Sequence, residues 1–100
     1  MSDDKMLPQA ILDLAGAAFR DIHAMDEGTS AKVFTASGGL YWFFRDGLGV
    51  VVSRTNSKGE IVLGRVQVLE AAGSRLRIMT GRGSGAQLIE TTSVVEHRMY

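Results

Sequence analysis

Hydrophobic residues recur at spacings of three and four along the first quarter of the chain. They form a stripe that runs from Leu7 through Ala18 and Ile22 to Met25. These spacings place side chains on one side of an α-helix, while the intervening positions are largely polar or small. The pattern predicts an amphipathic helix over residues 6–27.

From Lys32 onward the period changes to the alternation typical of strands, and glycine-containing turns interrupt it at regular intervals. The predicted strands cover residues 32–37, 40–45, 48–54, 60–70, 75–80 and 86–97. Every link between them is short, and short links require antiparallel neighbours because a parallel pair needs a long crossover. The last segment is open to a second interpretation, since Leu88, Val95 and Met99 also fit helical spacing.

These elements predict one α+β domain over residues 1–100. An N-terminal amphipathic helix packs on a curved, meandering antiparallel sheet of about six strands, because the sheet at 32–97 is the only surface on which the helix can bury its stripe.

The stretch LYWFF at 40–44 places aromatic bulk on both sides of one strand. We expect Trp42 and Phe44 to face the helix together with Val50 and Val52. The opposite side then carries a second apolar set, which we predict to be a self-association surface. Its residues are Tyr41, Phe43, Val51, Ile61, Leu63 and Met79.

Three arrangements could cover this second side: closure of the sheet into a barrel, a second copy of the chain, or a different protein or ligand. A homodimer is favoured, because two-fold pairing is the commonest soluble assembly.

Charge is unevenly distributed although the net charge is zero. Residues 1–28 contain six acids and two bases, whereas residues 29–100 contain nine bases and five acids. Four arginines are the predicted partner-binding residues: Arg65, Arg75, Arg77 and Arg82. Their partner is expected to be a protein with an acidic surface. Nucleic acid is the alternative, although a pI near 6.7 is low for a nucleic-acid-binding domain.

Few residues indicate chemistry. His23 precedes Asp26 and Glu27 at helical spacing, which fits either a metal site or an acidic helix end. The stretch TGRGSG at 80–85 lacks the Gly-Lys-Ser/Thr of a phosphate-binding loop, so a hairpin is the simpler interpretation. We predict no catalytic residue, no metal and no cofactor.

The sequence therefore predicts a non-enzymatic, self-associating protein-binding module that acts as an adaptor, assembly factor or inhibitor. The first alternative is a small nucleic-acid-binding regulator that uses its arginines. The second is a small-molecule-binding protein or enzyme with a pocket between helix and sheet or between subunits. The chain has no cysteine and no apolar run of membrane-spanning length, and its acidic start is unlike a secretory signal. A cytoplasmic location without membrane contact is expected.

Overall fold

The computed structural model describes residues 13–100, in which one helix packs on a seven-stranded antiparallel sheet. The helix α1 covers Leu14–Ala24. The strands are β1 (Ser30–Thr35), β2 (Leu40–Asp46), β3 (Gly49–Asn56), β4 (Gly59–Ala72), β5 (Arg75–Thr80), β6 (Gln87–Glu90) and β7 (Val94–Met99). The α+β class is confirmed, and the sheet has seven strands because the segment expected as the sixth divides into two. The predicted helical residues 6–12 lie outside the described part of the chain.

Helix α1 buries the stripe that its sequence predicts. Ala15, Ala18 and Ile22 are almost fully buried, and the two alanines allow the helix to approach the sheet closely. Its C-terminal end is capped by Arg45, whose Nη2 atom donates to the carbonyls of Ile22 (3.2 Å) and His23 (3.3 Å). A cation is favourable at this end of a helix. Within residues 13–100, no helix is long and apolar enough to cross a membrane.

The core lies between α1 and the inner side of the sheet, which is the side that faces the helix. Its strand residues come from β1, β2, β3, β5 and β7. They are Ala31, Val33, Tyr41, Phe43, Val50, Val52, Leu76, Ile78 and Val94. Alternate residues of these strands point outward, so the other side of the sheet is left without a covering layer from the described residues.

The strand order is β6-β5-β4-β3-β2-β1-β7, so two strands that are consecutive in the chain occupy opposite edges of the sheet. A flat sheet of seven strands would separate its edge strands by about 29 Å. The link between β6 and β7 consists of Thr91–Ser93, which spans at most about 14 Å. The sheet must therefore curl around α1 until its two ends come close together.

Backbone hydrogen bonds fix this curl at the link, which we call the closure segment (Thr91–Ser93). The amide of Thr91 donates to the carbonyl of Leu76 at 3.0 Å, and the amide of Val94 donates to that of Ser74 at 2.8 Å. On the other side, the amide of Ala36 donates to the carbonyl of Ser93 at 2.8 Å. The closure segment thus connects the start of β5 with the link between β1 and β2.

The long strand β4 produces much of the curvature, because its two halves have different neighbours. Residues 59–65 pair with β3, and residues 66–72 pair with β5. Each pairing contains a register shift, at Leu63 and at Gln67. An extra residue of this kind bends a strand and increases its twist, so β4 turns from one half of the curled sheet into the other.

Thr91 is the residue of the closure segment on which we expect stability to depend most. It is 2% exposed, its hydroxyl accepts a hydrogen bond from the amide of Leu76 at 3.0 Å, and it donates to the carbonyl of Thr92 at 2.7 Å. Thr91→Val keeps the shape of the side chain but removes the hydroxyl, so the amide of Leu76 and the carbonyl of Thr92 both lose a hydrogen-bond partner. We expect the free energy of unfolding, measured by denaturant titration, to fall by about 1–3 kcal/mol.

Thr91→Ser is the control, because it keeps the hydroxyl and removes one methyl group. It should lose less stability than Thr91→Val. Equal stability of Thr91→Val and the wild type would show that the hydroxyl does not hold the closure.

Candidate interaction surface

In the aromatic strand β2, the residues that face the core are those that the sequence analysis places on the open side. Phe43 and Tyr41 are buried, at 0% and 5% exposure, whereas Trp42 and Phe44 are 39% and 44% exposed. The prediction that Trp42 belongs to the core and that Tyr41 and Phe43 lie on the open side is wrong. Self-association itself stays a prediction, but it cannot use these two side chains.

The hairpin between β2 and β3 explains the reversal. Its two-residue turn is Gly47–Leu48, so Asp46 faces Gly49 and Phe43 faces Val52. A two-residue turn always makes the numbers of facing residues add up to an odd number, and facing residues share a side of the sheet. Odd-numbered residues of β2 therefore accompany even-numbered residues of β3. The predicted turn at 46–47 also has two residues and would pair odd-numbered residues of β2 with even-numbered residues of β3. The predicted turn length was therefore sound, and the error lies in which residues were assigned to each side of the sheet.

The remaining residues of the predicted self-association set do not form one surface. Leu63, at a register shift of β4, is partly buried and packs against the core. Ile61 is exposed and faces Arg54, on the same side as Tyr41. Val51 and Met79 lie on the outer side as predicted, but they belong to β3 and β5 in different halves of the curled sheet.

A different apolar surface occupies the outer side of the larger half of the sheet. Strand registers place Lys32, Trp42, Ser53 and Val62 in one row across four strands, and Phe44 beside Val51 in the next row. We call this surface the outer aromatic face. It consists of Lys32, Phe34, Trp42, Phe44, Val51, Val62 and Arg98.

Cations lie against the aromatic rings of this face. The Nζ atom of Lys32 is 4.6 Å from the centre of the Trp42 ring and 5.0 Å from that of Tyr100. The guanidinium of Arg98 lies 5.6 Å from the centre of the Phe34 ring. Such contacts hold the cations beside the rings and cover part of the apolar area with their aliphatic stems. Trp42 and Phe44 nonetheless remain open to solvent.

Charge on the outer side of this half of the sheet is balanced. The strand registers place six charged residues there, three bases and three acids: Lys32, Arg65, Arg98, Asp46, Glu60 and Glu96. The face is therefore a mixed surface with an aromatic centre. It is not the positive platform expected for a polyanion.

Arg65, one of the predicted partner-binding residues, is engaged within the chain. Its Nη1 and Nη2 atoms each donate to Asp46 at 2.9 Å, which is the parallel two-bond geometry of an arginine–carboxylate pair. These hydrogen bonds, together with one from the backbone amide of Leu48, lower the pKa of Asp46 to about 2. The same contact raises the pKa of Arg65.

The other three predicted arginines do not join Arg65 in one site. Arg77 faces Glu70, which is five residues and roughly 16 Å along β4 from Arg65. It forms ion pairs with Glu70 at 3.5 Å and with Glu90 at 3.3 Å. Arg75 is exposed on the same side of β5.

Arg82 is exposed in the glycine-rich link from β5 to β6. In this link, the amides of Gly85 and Ala86 already donate to the carbonyls of Arg82 and Gly83. The link is therefore an internally bonded turn in which two of the amides that could have met a phosphate are occupied.

A cavity of about 220 Å³ lies between the end of α1 and strands β2–β4. The second functional alternative placed a pocket between helix and sheet, and this cavity is in that position. Its polar lining is His23, Arg45 and Gln67, with no carboxylate or hydroxyl side chain. The Nε atom of Arg45 has no hydrogen-bond partner but is shielded from solvent. Over the described range, no three His, Cys, Asp or Glu residues come together as a metal site.

Comparison with protein-family models, curated proteins and solved structures finds no match to this chain. The function must therefore be inferred from the geometry of the molecule itself.

Adjacent aromatic residues on opposite sides of β2 provide a matched pair of variants. Phe43→Ala should lower the free energy of unfolding by about 3–5 kcal/mol because it empties a buried site. Trp42→Ala should cost less than half as much, since its ring is already partly in water. Because Trp42 is the single tryptophan, iodide should quench the native fluorescence readily. Strong protection from iodide, or equal destabilisation by both variants, would contradict the observed orientation of β2.

The lowered pKa of Asp46 predicts a defined pH dependence of stability. Ionised Asp46 is stabilised in the folded state, so its contribution is complete above the ordinary pKa of 3.8 and disappears as pH falls through about 2. The stability difference between the wild type and Asp46→Asn should therefore stay constant from neutral pH to about pH 5 and shrink below pH 4. A difference that is unchanged down to pH 2 would show that the carboxylate charge is irrelevant. Glu60→Gln is the control on the same side of the sheet.

Proposed function

We propose that this protein is a non-enzymatic, self-associating module that binds a partner protein through the outer aromatic face. In this role it serves as an adaptor, assembly factor or inhibitor, and its proposed location is the cytoplasm. The observation that carries the proposal is the exposure of Trp42 and Phe44 in the middle of a five-stranded surface.

The composition of the face supports a protein partner. Aromatic residues and arginine are enriched in the centres of protein interfaces, and tryptophan contributes disproportionately to binding energy. Trp42 and Phe44 share the outer side of β2, and Phe44 faces partly exposed Val51 on β3, so these three residues form one apolar cluster. Isolated exposed hydrophobic residues need no explanation, but a continuous exposed patch is typical of an interaction site.

The chemistry of the face also defines its partner. A complementary surface needs an apolar centre to cover Trp42 and Phe44. It needs a carboxylate on the side that meets Lys32, which faces Arg98 in its own row of the sheet, whereas Arg98 is paired with Glu96 within the chain. The partner is therefore a protein with an apolar patch and an acidic margin.

Nucleic acid is less well supported by this surface. The three acids among its six charged residues would repel phosphates, and Arg65 is already paired with Asp46. Of the four predicted arginines, Arg75 and Arg82 remain exposed, and they lie at the start of β5 and in the loop after it. A nucleic-acid site would have to use them without the aromatic residues.

Reconstitution with a purified partner tests the proposal. Protein retained by the wild type from an extract of its source cells would be identified, purified and titrated against the variants. Trp42→Ala should weaken the affinity about tenfold or more, as expected for a central aromatic residue. Leu88→Ala is the control, because Leu88 is an exposed apolar residue on the outer side of β6.

Equal affinities of the wild type and Trp42→Ala would overturn the proposal. It would also fail if the wild type bound single-stranded DNA with an affinity that falls steeply with salt, the behaviour of phosphate contacts.

A further inference from the structure

Strand β7 forms one edge of the sheet, and its hydrogen-bonding pattern shows which backbone groups are available there. Ser30 and Tyr100 exchange both of their backbone hydrogen bonds. In an antiparallel pair such residues alternate with pairs whose backbone groups point away from each other. The facing pairs Ala31–Met99 and Val33–His97 are of the second kind. The amide and carbonyl groups of His97 and Met99 therefore point outward from the edge, where the described residues place no further strand.

The side chains of this edge are self-complementary under two-fold symmetry. An antiparallel copy of β7 centred on His97 would place Glu96 of one chain opposite Arg98 of the other, twice. Both residues are exposed and lie on the outer side of the sheet. Val95 is an extra residue in the pairing of β7 with β1, so the regular register runs from Glu96 to Arg98.

Backbone and side chains select the same register. The outward-pointing groups of the two His97 residues would face each other and form two hydrogen bonds. Glu96 and Arg98 would then occupy the positions without backbone bonds, where facing side chains are closest. Within one chain Glu96 and Arg98 already form an ion pair. Pairing of two β7 strands would replace this ion pair in each chain, giving two ion pairs between the chains.

We propose that two copies of this protein associate through antiparallel pairing of their β7 strands, centred on His97. This inference rests on the proposed function, in which the module self-associates, and it names the surface responsible. The occupant of the edge is a second copy of the chain, because the charge pattern Glu-x-Arg is complementary to itself when the strand is reversed.

The other edge of the sheet lacks these properties. Strand β6 has four residues, and its Glu90 is held by Arg77. Natural proteins often protect an edge with charges, but protection alone does not require opposite signs at equal distances from a centre. When two β7 strands pair around His97, each Glu96 faces an Arg98. A shift by two residues would instead place two Glu96 or two Arg98 side chains opposite each other, and like charges repel.

Charge reversal provides a test that is specific to this register. Arg98→Glu places a second glutamate opposite Glu96 at both positions, and Glu96→Arg places a second arginine opposite Arg98. Each single variant should dimerise about tenfold or more weakly than the wild type, since two facing pairs change from opposite to like charge. The double variant Glu96→Arg with Arg98→Glu should recover the wild-type affinity. Analytical ultracentrifugation measures all four dissociation constants.

Mixing the two single variants gives the decisive measurement. Arg98→Glu and Glu96→Arg should form a one-to-one heterodimer, because each chain then carries the charges that the other lacks. Arg75→Glu is the control, since it makes the same change in net charge at an exposed arginine away from β7. Circular dichroism confirms that each variant is folded, and either single variant alone suffices if the other fails to fold.

The outcomes separate this inference from the proposed function. A wild-type dimer that is unaffected by the reversals, with no preference for the mixed pair, would overturn pairing through β7 while leaving self-association intact. A wild type that remains monomeric at high micromolar concentration would overturn both self-association and β7 pairing. Partner binding through the outer aromatic face is tested separately by Trp42→Ala.

Discussion

Closure of the sheet by Thr91–Ser93 is the constraint on which the rest of the structure depends. A link of three residues brings opposite edges of a seven-stranded sheet together. Curling gives the sheet a concave inner side, which α1 fills with Ala15, Ala18 and Ile22. Larger residues at the two alanine positions would hold the helix away from the strands. The small buried side chains of α1 and the three-residue link therefore both fit a sheet that curls tightly around the helix.

The closure also determines where an uncovered surface can occur. A single short helix covers the concave inner side. Within the described part of the chain, no second layer covers the convex side, which is the outer side of the sheet. The strands of that side must therefore meet solvent or another molecule. Over β5 and β6 the convex side includes the charged network of Arg77, Glu70 and Glu90. Over β2 and β3 it carries Trp42, Phe44 and Val51. Only the second region is aromatic, which is why the proposed interface lies there.

The sequence predicts the elements of this fold better than it predicts their sides. Helical spacing identifies the buried residues of α1, and strand β5 occupies the predicted residues 75–80. In β2, apolar side chains on both sides remove the alternation that normally distinguishes core from surface. The parity of the two-residue turn was then the remaining guide, and it assigns Phe43 to the side of Val52. The division of 86–97 into β6 and β7 depends on long-range pairing with β1 and β5, which no local pattern reveals.

The site was harder to predict because its members are distant in sequence. Arg98 joins Lys32 and Trp42 only through the pairing of β7 with β1, which closes a separation of more than sixty residues in the chain. The predicted arginines also fail to cluster, since Arg65 lies in the half of β4 that pairs with β3, whereas Arg77 lies on β5 opposite Glu70. Local composition predicted an exposed aromatic surface but assigned it to the wrong side of β2.

Edge pairing and the outer aromatic face are geometrically compatible. A two-fold axis that relates antiparallel edge strands is perpendicular to the sheet, so the outer sides of both copies would point in the same direction. Helix α1 of each copy would lie on the opposite side, where its Asp21 contacts His97 next to the two-fold axis. Two aromatic faces would then be held in one rigid arrangement and would bind a partner with two matching patches more tightly than either face alone, because the second contact becomes intramolecular. A self-complementary edge next to an uncovered aromatic face is thus consistent with the proposed role in assembly.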